Sequence, residues 1–207
     1  MAQFAPESMD PADVYKLMAA LVVPRPIAWT STLSPEGVDN LAPFSFFMMI
    51  TSTPPHIAIS VGARDGETKD TLRNIRHTGD FVVNTVSADV GPLMARTAAD
   101  WPPDVSELEA LGLTPIPSEV VRPRRVGESP ANLECVARQI MPVGTLPYGA
   151  HLVIAEVVRI HVRDDLLMER NRIDLQGLDA VGRLTGDWYC DTTAQYVLPR
   201  GLPVVDG

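Results

Sequence analysis

Hydroxyl and amide side chains are concentrated in two neighbouring stretches near the start of the chain. Thr30, Ser31 and Thr32 lie in one apolar run, and Asn40 and Ser45 lie in the next. Hydroxyls and backbone N–H groups bind phosphate oxygens without requiring a basic protein. The strip therefore predicts a site for a ligand that carries a phosphate and a ring.

A second candidate contact for the same ligand begins at Lys69. Lys69, Asp70 and Thr71 open a helical pattern that ends near Gly79. The ammonium group and the free N–H groups of the first helical turn would converge on one anion. A structural alternative stays open, because Ser and Thr often fill strand surfaces and Lys-Asp-Thr is often a solvated helix start with Asp70 offsetting the dipole.

Several other chemistries are disfavoured by the residues that are missing. The chain has no GxGxxG after its first strand, no P-loop, no GxSxG and no HExxH. The four histidines, at positions 56, 77, 151 and 161, are scattered, and Cys135 and Cys190 form no CxxC pair. We therefore predict no metal site and two free thiols.

The charge and the hydropathy of the chain disfavour two classes of partner. Seventeen basic against 26 acidic residues give a net charge of -9, which repels a nucleic-acid backbone. The apolar runs are shorter than the roughly 18 residues of a membrane span, and the N-terminus lacks a signal pattern. We expect a cytoplasmic protein that binds neither nucleic acid nor membrane.

Short strands must position the polar strip. Asp10 and Pro11 start a helix that runs to Leu21, residues 27–33 form a strand, and a turn at residues 34–37 folds the chain back. Residues 41–50 are apolar at nearly every position, which predicts a strand buried on both faces inside a barrel or a dimer interface.

The rest of the chain continues the same pattern. Strands are predicted over residues 56–61, 80–86, 132–141 and 150–162, and helices over residues 69–79, 90–99 and 105–113. The strand at 150–162 again shows apolar residues on both faces, and residues 114–131 are expected to cross the surface. We predict one domain over residues 1–207, a mainly β fold consisting of a small β-barrel with peripheral helices.

Five ordered motifs resemble the flavin reductase-like family of FMN-binding split barrels. They are PRPIAWTST, NLAPFSFF, the Pro-Pro pair at 54 and 55, KDTLRNI and GDFVVN, and two later segments, HLVIAEVVRIHV and VGRLTGDWY, agree with them. The resemblance covers about residues 10–190, and the sequence is most similar to the flavoredoxin-type branch of the family. It implies a homodimer that holds FMN, with FAD as the alternative, near the subunit interface.

The resemblance also implies the cofactor contacts. Phosphate contacts fall on Thr30, Ser31, Thr32, Lys69, Asp70 and Thr71, and the flavin ring lies along Asn40, Leu41, Ala42, Pro43, Phe44 and Ser45. Ser60, Gly62 and Arg64 complete the cofactor-binding set, to which Trp29 would add ring stacking unless it is a core residue. His151 is the candidate catalytic residue, facing the flavin or the nicotinamide, with a structural role as the alternative.

The implied function is an oxidoreductase that transfers hydride from NAD(P)H to flavin and then to an acceptor. The acceptor would be oxygen, free flavin, a monooxygenase or another redox protein. The alternative is a flavoredoxin-like electron carrier without NAD(P)H activity.

Overall fold

Short strands dominate the computed structural model, which describes residues 1–63, 66–145 and 147–198. The strands are β1 (Arg25–Pro26), β2 (Ala28–Leu33), β3 (Asp39–Phe44), β4 (Phe47–Ser52), β5 (Pro55–Gly62), β6 (Asp80–Asn84), β7 (Pro115–Ile116), β8 (Arg125–Val126), β9 (Ala131–Val143), β10 (Ala150–Val162), β11 (Leu167–Met168), β12 (Arg172–Ile173), β13 (Gly182–Arg183) and β14 (Tyr189–Cys190). The helices are α1 (Pro11–Leu21), α2 (Asp70–Thr78), α3 (Gly91–Arg96), α4 (Glu107–Ala110) and α5 (Leu175–Leu178).

The main sheet closes into a barrel. Its seven antiparallel strands follow the order β3-β2-β6-β9-β10-β5-β4, so the two edge strands are consecutive in sequence and joined only by Ser45 and Phe46. In a flat sheet, six strand spacings would separate these edges by roughly 29 Å. The three peptide steps from Phe44 to Phe47 reach about 11 Å at most. The edges must therefore meet, which confirms the predicted barrel.

The hairpin that carries the polar strip forms as the sequence predicts. Ser34 accepts hydrogen bonds on its hydroxyl oxygen from the N–H groups of Glu36 and Val38, and Gly37 takes a left-handed φ of 86°. Behind the turn β2 pairs with β3, and Thr32 faces Asn40 across the ladder. This register places the amide and the hydroxyls of the strip side by side.

Helix α2 is confirmed with its predicted ends. Lys69 is the N-cap residue, and Gly79 ends the helix in the left-handed conformation, with its N–H donating to Ile75. Leu72 and Ile75 are buried against the barrel core, so the amphipathic face fixes the helix. The N-terminus of α2 is thereby held next to β3.

The predicted two-sided burial of the long apolar runs is wrong for the isolated chain. Residues 41–50 split at the barrel seam into β3 and β4, and Met48 and Met49 on β4 are 59% and 66% exposed. In β10 the buried residues, Val153, Ala155 and Val157, all lie on one face of the strand. A strand can therefore carry apolar residues on both faces although the rest of the chain buries only one of those faces.

Other predicted elements need smaller corrections. Helices α3 and α4 are shorter than the predicted residues 90–99 and 105–113, and α4 is followed by Gly112 with a left-handed φ of 69°. Residues 114–131 do not merely cross the surface, since they contain β7 and β8 and bury Val121 and Val126. None of the helices in the described ranges is long and apolar enough to cross a membrane.

Candidate functional site

A narrow cavity of about 180 Å³ lies between β3 and the start of α2. It brings together six predicted site residues: Asn40, Ala42, Pro43, Lys69, Asp70 and Thr71. The Asn40 amide donates to the Thr71 hydroxyl at 3.1 Å, which ties the strand to the helix. The ammonium group of Lys69 stands 5.4 Å from the centre of the Phe44 ring, and no side chain caps the N-terminus of α2. This narrow end therefore offers an ammonium group and helix N–H groups to an anion.

Two further cavities extend the narrow end along β3 towards β4. The middle cavity, of about 190 Å³, shares Pro43 with the narrow end and adds Ser45, Tyr15 and Tyr189. The wide cavity, of about 640 Å³, shares Tyr15 and Ser45 with the middle one and reaches Ser60. Because successive cavities share lining residues, we treat the three as one trough with a narrow polar end and a wide apolar end.

The three predicted phosphate contacts on β2 lie behind the trough wall. The Thr30 hydroxyl donates to the carbonyl of Ala28 at 3.2 Å, and the Ser31 hydroxyl donates to the carbonyl of Arg124 at 2.6 Å. The Thr32 hydroxyl oxygen accepts from the amides of Asn40 and Asn74. All three hydroxyls thus brace the wall, and their contact with a ligand stays a prediction.

The other predicted ring-end contacts divide between the trough and the core. Trp29 is fully buried, with its indole N–H donating to the Thr97 hydroxyl at 2.9 Å, so the structure favours the core alternative over stacking. Leu41 and Phe44 are also buried, and Gly62 ends β5 opposite Ala150. Arg64 lies outside the described residues.

His151 stands opposite Val61 on β5, at the start of β10. It has the strand parity of the buried Val153, whereas its neighbour Leu152 lines the wide end of the trough. Adjacent side chains of a strand point to opposite faces. Thus the structure does not bring His151 to the trough in the single chain, and its catalytic role stays a prediction.

Glu107 is a trough residue that the sequence pattern did not reveal. Its carboxylate accepts a hydrogen bond from the N–H of Leu41 at 2.9 Å, and the residue is only 5% exposed. Burial raises the pKa of Glu107, and hydrogen bonds from the N–H groups of Leu41 and of Glu107 itself partly oppose that rise. The only sequence signal was the Ser106 cap of a very short helix.

Arg25 is a second residue that sequence reasoning missed. It is 7% exposed and donates to the carbonyls of Ala19 and Val22 at 2.5 and 2.6 Å and to that of Leu184. Its Nε lies 3.5 Å from the Ser45 hydroxyl oxygen. Arg25 therefore fastens the end of α1 and the turn after β13 to the barrel seam.

Comparison with known proteins agrees with this architecture. The family model described as "Flavin reductase like domain" matches residues 18–175. The chain belongs to the flavin reductase-like family. Its membership confirms the resemblance carried by the sequence motifs and supports an oxidoreductase that binds a flavin.

Three solved structures illustrate the family relationship. Nitrilotriacetate monooxygenase component B from Bacillus cereus is 38% identical with a TM-score of 0.91, covering 96% of this chain and 98% of its own. The 2-nitrobenzoate 2-nitroreductase of Pseudomonas fluorescens is 31% identical with a TM-score of 0.87, covering 99% and 100%. A split-barrel-domain protein from Shewanella frigidimarina, 24% identical with a TM-score of 0.83 and covering 97% and 100%, shares the fold.

The chemistry of the trough fits a flavin nucleotide, the cofactor that the family implies. A phosphate would meet Lys69, Thr71 and the uncapped N–H groups of α2 at the narrow end. A flat aromatic ring would lie towards the wide end, whose volume falls within the roughly 300–1,000 Å³ usual for small-molecule sites. The narrow end of the trough is polar, as is the phosphate of the cofactor, and the wide end is apolar, as is the face of the ring.

Proposed function

We propose that the chain is an FMN-binding oxidoreductase of the NAD(P)H-dependent flavin reductase type. The observation that carries this proposal is the row of three cavities with shared lining residues, which leads from a cationic end at Lys69 to an apolar end at Ser60. Family membership supports flavin as the occupant. FMN fits better than FAD because the narrow end is only about 180 Å³.

The residues of the chain would bind and orient, because a flavin supplies the hydride-accepting chemistry when it is bound. Lys69 and Thr71 would anchor the phosphate, and Asn40 would hold the strand against the helix through its bond to Thr71. Pro43 and Ser45 would line the ring. Such fixed positioning is the main contribution of a protein to cofactor chemistry.

We propose that the chain works as a homodimer. An exposed apolar face runs over α1 and β4, where Met18 and Leu21 are 54% and 76% exposed and Met49 is 66% exposed. The rings of Tyr15 and Phe46, 6.4 Å apart, connect the two elements. Contiguous apolar surface of this kind marks an association site, and the family likeness favours a second copy as the occupant.

The electron acceptor is a redox partner or a small molecule. The Bacillus cereus relative is named as a monooxygenase component, and the Pseudomonas fluorescens relative is named as a nitroreductase. The first name favours delivery of electrons to a monooxygenase, and the second favours direct reduction of a substrate. We propose the cytoplasm as the site of action, where NAD(P)H is present.

Anaerobic mixing of the FMN-loaded protein with NADH or NADPH tests the proposal. We expect the visible absorbance of the flavin to bleach with at least one nucleotide. If neither nucleotide bleaches it while dithionite does, the chain is an electron carrier and the reductase proposal fails. If FMN does not bind at all, both functions fail.

A further inference from the structure

Two arginines stand directly opposite each other beside the trough. Arg25 of β1 pairs with Arg183 of β13 in an antiparallel register. Side chains at directly opposed positions leave the same face of a sheet, and like charges there repel each other. A negative charge placed between such a pair would relieve the repulsion.

In the described part of the chain, no carboxylate lies within 4.0 Å of either guanidinium group. Seven other cationic side chains pair with carboxylates within 4.0 Å, namely Lys16, Arg73, Arg122, Arg124, Arg138, Arg159 and Arg163. Arg25 bonds to carbonyl groups and lies near the Ser45 hydroxyl, and Arg183 bonds to the Tyr189 hydroxyl and the Gly186 carbonyl. What distinguishes this pair from other arginines without a carboxylate partner is its directly opposed register beside the trough.

Both guanidinium groups reach the same part of the trough. Arg183 lines the middle cavity and Arg25 lines the wide one, and Ser45 and Tyr15 line both. Among the described residues that line these two cavities, none is Asp or Glu. The carboxylates of the trough, including Glu67 and Glu107, are confined to the narrow end.

We infer that Arg25 and Arg183 form a binding site for an oxyanion carried by the second reactant, the molecule that exchanges electrons with the bound flavin. This inference rests on the proposed function, because it assumes that flavin fills the trough with its phosphate at Lys69. A carboxylate or a phosphate group of the second reactant would accept hydrogen bonds from the exposed part of Arg183 and lie in the positive field of Arg25.

Arg183 is the residue on which the test depends. Loss of Arg25 would orphan three carbonyls and loosen the end of α1, so an Arg25 variant could fail to fold. Arg183→Met removes the charge and keeps an apolar stem on the Tyr189 ring, whereas Arg183→Lys keeps the charge. Arg172→Met, at an exposed position of β12, removes one positive charge elsewhere and serves as the control.

Calorimetric titration of the FMN-saturated protein with inorganic pyrophosphate and, separately, with benzoate measures the anion site. We expect Arg183→Met to weaken binding about tenfold or more, Arg172→Met to leave it unchanged and Arg183→Lys to retain part of it. Binding of pyrophosphate alone assigns the site to the phosphates of a nucleotide, and binding of benzoate alone assigns it to a carboxylate substrate.

Three results would overturn the inference. The first is that neither pyrophosphate nor benzoate binds the wild-type protein. The second is that Arg183→Met binds the probe as tightly as the wild type does. The third is that Arg183→Met weakens the binding of FMN as much as Lys69→Ala does, which would place the flavin phosphate at the arginine pair. If FMN does not bind the wild-type chain, the proposed function fails separately, and pyrophosphate binding that still depends on Arg183 would preserve the anion site.

Discussion

Lys69 is the cation at the narrow end of the trough, and the position of a phosphate depends on it. Replacing Lys69 by Ala should weaken FMN binding by about 1.5–3 kcal/mol, the range of a charge-assisted hydrogen bond. Quenching of FMN fluorescence on titration measures the affinity. Lys16→Ala is the matched control, because Lys16 is exposed and pairs only with Asp13 on α1. Equal affinities of the two variants would place the phosphate away from Lys69.

Glu107 makes the stability of the folded chain depend on pH. Because burial raises its pKa, the folded state holds a proton that the unfolded state has already released between the ordinary and the raised pKa. Its contribution to the free energy of unfolding therefore falls as pH rises through that window and stays low above it. Glu107→Gln should remove this fall, since an amide oxygen can still accept from the N–H of Leu41.

Urea unfolding of the flavin-free protein between pH 4 and pH 8, a span of about four units around the carboxyl range, tests this behaviour. The difference in unfolding free energy between Glu107→Gln and the wild type should move in favour of the variant as pH rises. Glu109→Gln, an exposed position on the same helix, should follow the wild-type profile. Parallel profiles for the wild type and Glu107→Gln would contradict the prediction.

At the scale of elements, the local sequence predicted where most helices and strands begin and end, but few of the contacts between them. The Ser34 to Gly37 turn and the Lys69 to Gly79 helix carry their own caps, so their ends follow from neighbouring residues. The placement of Glu107 and Arg25 depends on contacts between segments far apart in the chain. No local pattern encodes such contacts, which is why the sequence predicted the polar strip but not its wall.

The segment after β7 is held by one buried carboxylate on β9. Glu134 is fully buried and accepts hydrogen bonds from the N–H groups of Glu119, Val120 and Val121 and from His161. Burial alone would raise the pKa of Glu134, but these hydrogen bonds outweigh it and lower the pKa. The carboxylate therefore stabilises the fold above its ordinary pKa, and this stabilisation is lost as pH falls through the lowered value.

Glu134→Gln should destabilise the fold by about 1–3 kcal/mol at neutral pH, because an amide NH₂ group would face backbone donors. Chemical denaturation measures the loss, which should shrink in acid. Glu156→Gln on β10 is the control, since its half-exposed pair with Arg138 should contribute less than about 1 kcal/mol. A Glu134→Gln variant as stable as the wild type would show that this segment is held by other contacts.

At the scale of the molecule, the barrel seam determines where function can lie. The link through Ser45 and Phe46 joins the edge strands, and it also lines the middle and wide parts of the trough. Apolar side chains that face away from the barrel, such as Met48, continue from the seam along β4. The sequence predicted these residues to be buried. The single chain leaves them exposed, and the surface of a partner would bury them.

The exposed apolar face on α1 and β4 gives the last prediction. Met49→Glu should weaken self-association at least about tenfold, because a dimer would have to bury an unpaired carboxylate. Sedimentation equilibrium measures the dissociation constant. Met168→Glu is the matched control, since Met168 is 49% exposed on β11, away from that face. A monomeric wild-type chain, or a Met49→Glu variant that associates as tightly as the control, would exclude this face as the dimer interface and leave the seam open to another partner.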